Sequence, residues 1–278
     1  MKNLLHDIPV LAALALVSAG VVSCSDELRE TGNTEVSFTA TIPAEPGTRS
    51  PGDAAQVNTL VVGVFKDGVE TDRKTFPVSG SPVDMRLTLA RNQTYSFVFW
   101  AYNDACSVYD ITDLTAVKMT AVNQTVTFSQ AEAADAFFAT PKNITIAGSN
   151  SYPVTLVRPL AQVNVGTTGN AAPTVFTAKA VPDTFHPFDN TVSGAADFVW
   201  NFTTVTATAE RFTVDGTEYS YLATGYLFAP AAEAMQMEAE IKLTTGGIGG
   251  TTTKTIVFPQ VELQANRRSN IVGGFTEE

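Results

Sequence analysis

Residues Met237–Leu243 read MEAEIKL, and their apolar and polar side chains alternate without a break. A period of two is typical of a β-strand with one face on the core and the other in solvent. The same pattern recurs along the chain, in short segments that are separated by turn residues. The chain also contains 38 threonines among 278 residues, and threonine fits a pleated, half-buried surface. We therefore predict an all-β protein.

The segment Glu35–Ile42 (EVSFTATI) is the first strand that this pattern predicts. Its apolar face carries Val36, Phe38, Ala40 and Ile42, because successive side chains of a strand point to opposite faces. A loop rich in proline and glycine follows, as expected where a strand ends.

Two further segments predict buried strands. Thr59–Phe65 is almost continuously apolar, which is typical of a strand covered on both faces, and Asp67-Gly68 then forms a hairpin-turn dipeptide. Thr94–Tyr102 (TYSFVFWAY) is the most aromatic segment of the chain. Its rings could line the core or form a platform on which sugars stack, and we favour the core.

The composition and motifs disfavour several functions. Seventeen basic against 28 acidic residues give a net charge of −11, and the absence of a basic run argues against nucleic acid as a partner. Beyond residue 23 the chain has one histidine, His186, and a zinc site needs three or four ligands. The G-x-S-x-G motif of triad hydrolases does not accompany this histidine. The glycine-rich stretch 246–250 predicts a hairpin rather than a phosphate-binding loop. We therefore expect no enzyme activity, no metal and no cofactor.

The N-terminus has the pattern of a bacterial lipoprotein signal. An apolar stretch of about 15 residues, Ile8–Val22, is shorter than a membrane-spanning helix needs. It ends in Val21-Val22-Ser23-Cys24, which predicts a signal peptide over residues 1–23 and a diacylglycerol anchor on Cys24. An ordinary secretory signal with a coincidental cysteine is the alternative. Residues 24–34 then predict a lipidated tether, and the acidic stretch after Cys24 indicates the outer face of the outer membrane.

Cys106 is the only other cysteine. Acylation of Cys24 would leave it without a partner, so it is either buried and inert or a reactive thiol. We favour the buried thiol, since Asn103-Asp104-Ala105 and Ser107 offer no cation that would lower its pKa.

The order of several segments resembles one known family. Together with the lipobox, the tether and the Pro/Gly loop, they resemble the Bacteroidales FimA-type fimbrial subunits, or type V pilins. The segments are Asn58–Phe65 (NTLVVGVF), Tyr95–Ala101 (YSFVFWA), Asp135–Thr140 (DAFFAT), Val154–Thr167 (VTLVRPLAQVNVGT) and Arg267–Gly273 (RRSNIVG). The resemblance implies two tandem transthyretin-like β-sandwich domains, which we place at residues 35–160 and 161–278.

The resemblance also implies a mode of assembly. An Arg-specific protease would cut after Arg49 and release the first strand, with Val36, Phe38, Ala40 and Ile42. A strand of the next subunit would fill the groove that remains, by β-strand addition. The donated strand would lie near the C-terminus, at Asn270–Phe275.

These observations give two functional hypotheses. The first is a surface-anchored fimbrial structural or accessory subunit that serves adhesion, with other fimbrial subunits as partners and the outer membrane bound through its lipid. The alternative is a monomeric surface lipoprotein that binds glycans or host ligands. Strand exchange predicts that Glu35–Ile42 lies at a sheet edge, whereas the alternative predicts an ordinary integrated strand.

Overall fold

The computed structural model describes residues 32–43, 54–120, 123–169, 173–202, 211–247 and 250–275. Contacts group Gly32–Glu278 into one compact unit. The described part consists of strands and one short helix, which confirms the all-β prediction.

Eleven strands and the helix precede residue 160. They are β1 (Asn33–Thr41), β2 (Thr59–Lys66), β3 (Val69–Pro77), β4 (Val83–Ala90), β5 (Thr94–Tyr102), β6 (Tyr109–Asp110), β7 (Val117–Met119), β8 (Asn123–Val126), α1 (Phe128–Glu132), β9 (Ala136–Ala139), β10 (Ile144–Thr145) and β11 (Ser151–Thr155).

Ten strands follow. They are β12 (Leu160–Thr167), β13 (Pro173–Val181), β14 (Thr184–His186), β15 (Thr191–Ser193), β16 (Ala196–Phe202), β17 (Arg211–Val214), β18 (Thr217–Phe228), β19 (Met235–Gly247), β20 (Gly250–Leu263) and β21 (Arg268–Gly273). The predicted strand Met237–Leu243 lies within β19. β19 and β20 pair in antiparallel as far as Gly247 and Gly250, which agrees with the predicted hairpin.

Strands β2 and β5 lie side by side in the first half and contribute to two hydrophobic cores. Leu60 and Phe97 belong to a core shared with β1, β4 and β11. Val61 and Trp100 belong to a second core, built mainly by strands after residue 160. Because side chains alternate between the two faces of a strand, a sheet with a core on each face needs continuously apolar strands. This confirms the prediction that Thr59–Phe65 is buried on both faces.

The two halves share one topological feature. In the first, β1 lies between the antiparallel β4 and the parallel β11. In the second, β12 lies between the antiparallel β18 and the parallel β21. The first strand of each half is therefore central, and the last strand of each half pairs with it in parallel.

The proposed boundary at residue 160 is crossed by strand pairing. β8, from the first half, pairs in parallel with β16 of the second, and β7 pairs with β14. The division into domains at 35–160 and 161–278 stays a prediction, which the repeated topology favours and these crossing strands complicate.

Candidate functional site

Strand β1 carries the four residues predicted for strand exchange on one buried face. Val36, Phe38 and Ala40 are fully buried, and Ile42, just after the strand, is 4% exposed. Phe38 lies opposite Met85 of β4 and opposite Tyr152 of β11. The structure thus places the four residues together, as the period of two requires.

The expected edge position of β1 is wrong, because β1 is the central strand of its three-stranded sheet. The sequence did not reveal this position, since β11 follows β1 far along the chain and pairs with it in parallel. Both sides of β1 therefore take part in main-chain pairing, with β4 on one side and β11 on the other.

Phe38 is at the centre of the contacts that hold β1 in place. Its ring centroid lies 4.9 Å from that of Phe97 and 5.5 Å from that of Phe99, on the facing sheet. The ring of Tyr152 stacks beside it at 5.3 Å. Aromatic pairs at such distances contribute about 0.5–1.5 kcal/mol beyond the burial of their area, so Phe38 is the main apolar anchor of the strand.

Polar contacts hold the outer face and the end of β1. Thr39 Oγ1 donates to Asp84 Oδ1 at 2.7 Å, and Glu35 forms an exposed ion pair with Arg86 at 3.0 Å. At the end, the hydroxyl of Ser81 both accepts from the Ile42 N–H and donates to the Ile42 carbonyl, each at 2.9 Å. Exposed ion pairs contribute about 0–1 kcal/mol, so the apolar face and the main-chain ladders hold the strand.

The predicted cleavage and lipidation sites lie outside the described residues. The description stops at Pro43 and resumes at Ala54, so it does not include Arg49, and Cys24 precedes its beginning at Gly32. Cleavage after Arg49 and lipidation of Cys24 stay predictions.

The segment predicted as the donated strand, Asn270–Phe275, is largely part of β21. It pairs in parallel with β12, and Asn164 Nδ2 donates to Asn270 Oδ1 at 3.0 Å. Ile271 is 6% exposed within the second core. Donation of this strand would therefore break an existing ladder and open that core.

A buried polar network that the sequence analysis did not assign connects three of the segments that carry the resemblance. Arg158 Nε and Nη2 donate to the two carboxylate oxygens of Asp135 at 2.6 and 2.8 Å. The guanidinium also lies 4.5 Å from the ring centroid of Phe137. From the C-terminal segment, Arg268 Nε donates to Gln162 Oε1 at 3.1 Å. One signal was available in the sequence, since an arginine inside an apolar run requires a buried partner.

Glu132, at the end of α1, joins this network. Its carboxylate accepts from Gln162 Nε2 at 2.9 Å, from Thr224 Oγ1 at 3.1 Å and from the Tyr226 hydroxyl at 3.4 Å. Burial, and to a smaller extent the charge of Asp135, raises the pKa of Glu132 above the usual value of a glutamate, although all three of these hydrogen bonds act in the opposite direction. The network links α1 to β12 and β18, which indicates a structural role.

Cys106 is half-buried rather than buried, which corrects our expectation. It lines an open cleft of about 520 Å³ together with Ser107, Gln124 and Thr125. Burial raises the pKa of the thiol, which keeps it protonated near neutral pH. The expectation of an unactivated thiol therefore agrees with its surroundings.

His186 lies at the end of β14, where its Nε2 is 2.7 Å from the Ser193 hydroxyl. Within the described ranges, no three His, Cys, Asp or Glu side chains form a group that could hold a metal ion. No helix in that part of the chain is long and apolar enough to cross a membrane.

The aromatic strand β5 forms core, as we favoured. Phe97, Phe99 and Trp100 are fully buried, and Tyr95 is 8% exposed. Trp100 packs edge-on against Tyr109, with ring centroids 5.5 Å apart. The strand therefore does not form a solvent-facing platform for sugars.

The fold is shared with solved structures of Bacteroides proteins. A candidate polysaccharide-binding protein from Bacteroides thetaiotaomicron has 13% identity and a TM-score of 0.52, over 88% of this chain and 92% of that one. A candidate cell adhesion protein from Bacteroides eggerthii has 12% identity and a TM-score of 0.52, over 89% and 88%. A candidate adhesin from Bacteroides thetaiotaomicron has 13% identity and a TM-score of 0.51, over 84% and 81%.

These likenesses define the class of the protein as an all-β sandwich. Residues 28–277 match a family of unknown function, DUF6562, and the chain belongs to that family. None of the curated proteins matches the sequence.

Proposed function

We propose that this chain is a surface-anchored fimbrial structural or accessory subunit, which serves adhesion and assembles by exchange of strand β1. The proposal does not rest on an edge position, which β1 lacks, but on the paired and buried setting of strand β1. This strand lies between β4 and β11, with its four apolar residues buried, and it is followed after Pro43 by the segment that contains Arg49.

The central position of β1 changes how exchange would occur. A cut after Arg49 would separate β1 covalently from β2, and the same cut would separate Cys24 and its lipid from the rest of the chain. Loss of β1 would leave a slot with main-chain donors and acceptors on two sides, from β4 and β11, over an apolar floor. An exposed strand edge is a template for pairing, and a slot with two edges pairs an incoming strand on both sides.

The direction and chemistry of the donor follow from this slot. An incoming strand that copies β1 runs antiparallel to β4 and parallel to β11. It needs small or branched apolar side chains around one aromatic residue that replaces Phe38 between Phe97 and Tyr152. Because β21 is already paired with β12, a copy that donates Asn270–Phe275 would have to release this strand from β12 before it enters the slot of the next subunit.

The alternative, a monomeric lipoprotein that binds a ligand, predicted an integrated β1, and β1 is integrated. Two of the solved structures with this fold are described as a candidate adhesin and a candidate polysaccharide-binding protein. Assembly and ligand binding therefore need separate tests.

Limited trypsin digestion of residues 25–278, followed by mass spectrometry and size-exclusion chromatography, tests the assembly. We expect cleavage after Arg49 and the appearance of oligomers, and Arg49→Ala should prevent both.

A synthetic peptide of residues 33–43 should fill the slot and keep the cleaved chain monomeric. The same peptide with Phe38→Ala is the matched control and should fail to do so. A chain that is cut after Arg49 and stays monomeric without peptide would contradict strand exchange.

A further inference from the structure

A small pocket in the described part combines aromatic and polar side chains from four places in the fold. It has a volume of about 260 Å³. Asp67 comes from the β2–β3 turn, Tyr95 and Ser96 from the beginning of β5, Asn143 from the residue before β10, and Phe188 from the turn between β14 and β15. The long-range folding of the chain creates this site, which is separate from the β1 slot.

The polar side chains of the pocket are available to a ligand. The side chains of Asp67 and Asn143 are exposed, and the described residues give them no hydrogen-bond partner. Ser96 Oγ accepts from the Asn143 N–H at 3.1 Å, so its own proton remains to be donated. The Asp67 carboxylate can accept hydrogen bonds, the Asn143 carboxamide can both donate and accept them, and the Ser96 hydroxyl can donate one.

The backbone holds two of these side chains in fixed positions. Asp67 has φ of 51° and Asn143 has φ of 56°, both in the left-handed region. Asp67 is in the Asp67-Gly68 turn of a hairpin, and Gly68 has φ of 81°. Asp and Asn tolerate this region better than most residues. The turn geometry therefore fixes the backbone positions from which the two polar side chains extend.

The aromatic wall of the pocket is the half-buried ring of Phe188. Its centroid lies 5.0 Å from that of the buried Phe65, in an edge-on arrangement. Lys142 lies nearby, with its ammonium 5.8 Å from the centre of the Phe188 ring and donating to the Phe188 carbonyl. An apolar ring beside several hydrogen-bonding groups suits a ligand with both an apolar and a polar face.

The charges around the pocket select the class of ligand. Asp67 lines the pocket and the ammonium of Lys142 lies over the Phe188 ring, so these two opposite charges leave no net preference for an anion or a cation. A neutral ligand with many hydroxyl groups satisfies the polar side chains and can place its C–H face on the ring. The volume is below the roughly 300–1,000 Å³ of sites for drug-sized ligands, which suits one sugar ring.

We propose that this pocket binds a single neutral monosaccharide unit, such as the terminal residue of a surface glycan. Asp67 and Asn143 hydrogen-bond its hydroxyl groups, and Phe188 packs against its C–H face. Loss of this binding would leave the strand-exchange proposal untouched, because the two sites share no residue.

The test uses the full-length chain, purified in mild detergent, and isothermal titration with the methyl glycosides of glucose, galactose, mannose and fucose. We expect at least one of them to bind. Asp67→Gly and Asn143→Gly should each weaken that binding at least about tenfold, since each removes a hydrogen-bonding group from a ligand contact. Glycine is the suitable replacement because it adopts positive φ without strain.

Asp215→Gly is the matched control. Asp215-Gly216 forms the turn between β17 and β18, with φ of 49° and 80°, almost the same as at Asp67-Gly68, and it does not line the pocket. This variant should bind as the unchanged chain does, and a thermal melt verifies that all three variants are folded. Methyl glucuronide and glucosamine, which carry opposite charges, should bind more weakly than the neutral probes.

Three results would overturn the proposal. They are the failure of all four neutral glycosides to bind the unchanged chain, equal binding by the folded Asp67→Gly, Asn143→Gly and Asp215→Gly variants, and tighter binding of a charged probe than of every neutral one.

Discussion

Arg158 and Asp135 form an ion pair through two parallel hydrogen bonds, and their side chains are only 2% and 5% exposed. Arg158 lies between β11 and β12, whereas Asp135 lies between α1 and β9. The pair therefore joins the connection between α1 and β9 to the connection between β11 and β12. Because a buried charge without a partner is strongly unfavourable, these two segments are fixed relative to each other.

This pair predicts a large effect of a single substitution. Arg158→Ala removes both hydrogen bonds and the positive charge of the guanidinium from the buried Asp135 carboxylate, and we expect the free energy of unfolding to fall by about 3–5 kcal/mol. Urea denaturation followed by circular dichroism measures the change. The matched control is Arg211→Ala, since Arg211 pairs with Glu218 at 2.8 Å where both side chains are more than half exposed. That variant should lose about 0–1 kcal/mol, and an equal loss in both would contradict the prediction.

Local patterns predicted the strands well, because alternation is a property of neighbouring residues. Thr94–Tyr102 was predicted with the bounds that β5 has, and Thr59–Phe65 differs from β2 only by Lys66. The short helix α1 spans Phe128–Glu132, ahead of the strand that begins at Ala136. Thr127 and Gln130 form a capping box at its beginning, a signal that the sequence contained.

Pairings between distant segments were beyond the sequence. The period of two placed Val36 and Phe38 on one face, but it could not place β11 beside β1, because nothing local specifies a parallel partner. For the same reason the arginine at position 158 indicated a buried partner without identifying Asp135. The pocket at Asp67 and Phe188 is assembled from four separated segments, so only the hairpin turn at Asp67 was predictable.

The raised pKa of Glu132 predicts how stability depends on pH. Burial makes the folded state hold the proton of this carboxyl at a pH where the unfolded chain has lost it. The contribution to stability is therefore fully present below the usual pKa of glutamate and is lost as the pH rises through the raised pKa. Glu132→Gln should remove this loss, because the amide stays neutral and its oxygen can still accept from Thr224.

Urea denaturation of both chains between about pH 4 and pH 8 tests this dependence. The stability of Glu132→Gln relative to the unchanged chain should increase as the pH rises. Glu218→Gln, on an exposed side chain of β18, is the control for a general effect of charge. If the advantage of Glu132→Gln were constant with pH, or matched that of the control, the assignment to this carboxyl would be wrong.

Cys106 offers a test of how a half-buried thiol behaves in this fold. Because burial raises its pKa, the thiolate is scarcer than in the unfolded chain, and the thiolate is the reactive form. In a chain with Cys24→Ser, where Cys106 is the only thiol, we expect iodoacetamide to react more slowly in the folded state than in urea at neutral pH. The difference should shrink as the pH increases through the raised pKa, since both states then hold the thiolate. Mass spectrometry at timed intervals measures both rates. A faster reaction of the folded chain at neutral pH would contradict this prediction, and it would indicate that Cys106 is activated in the cleft that this residue lines with Gln124 and Ser107.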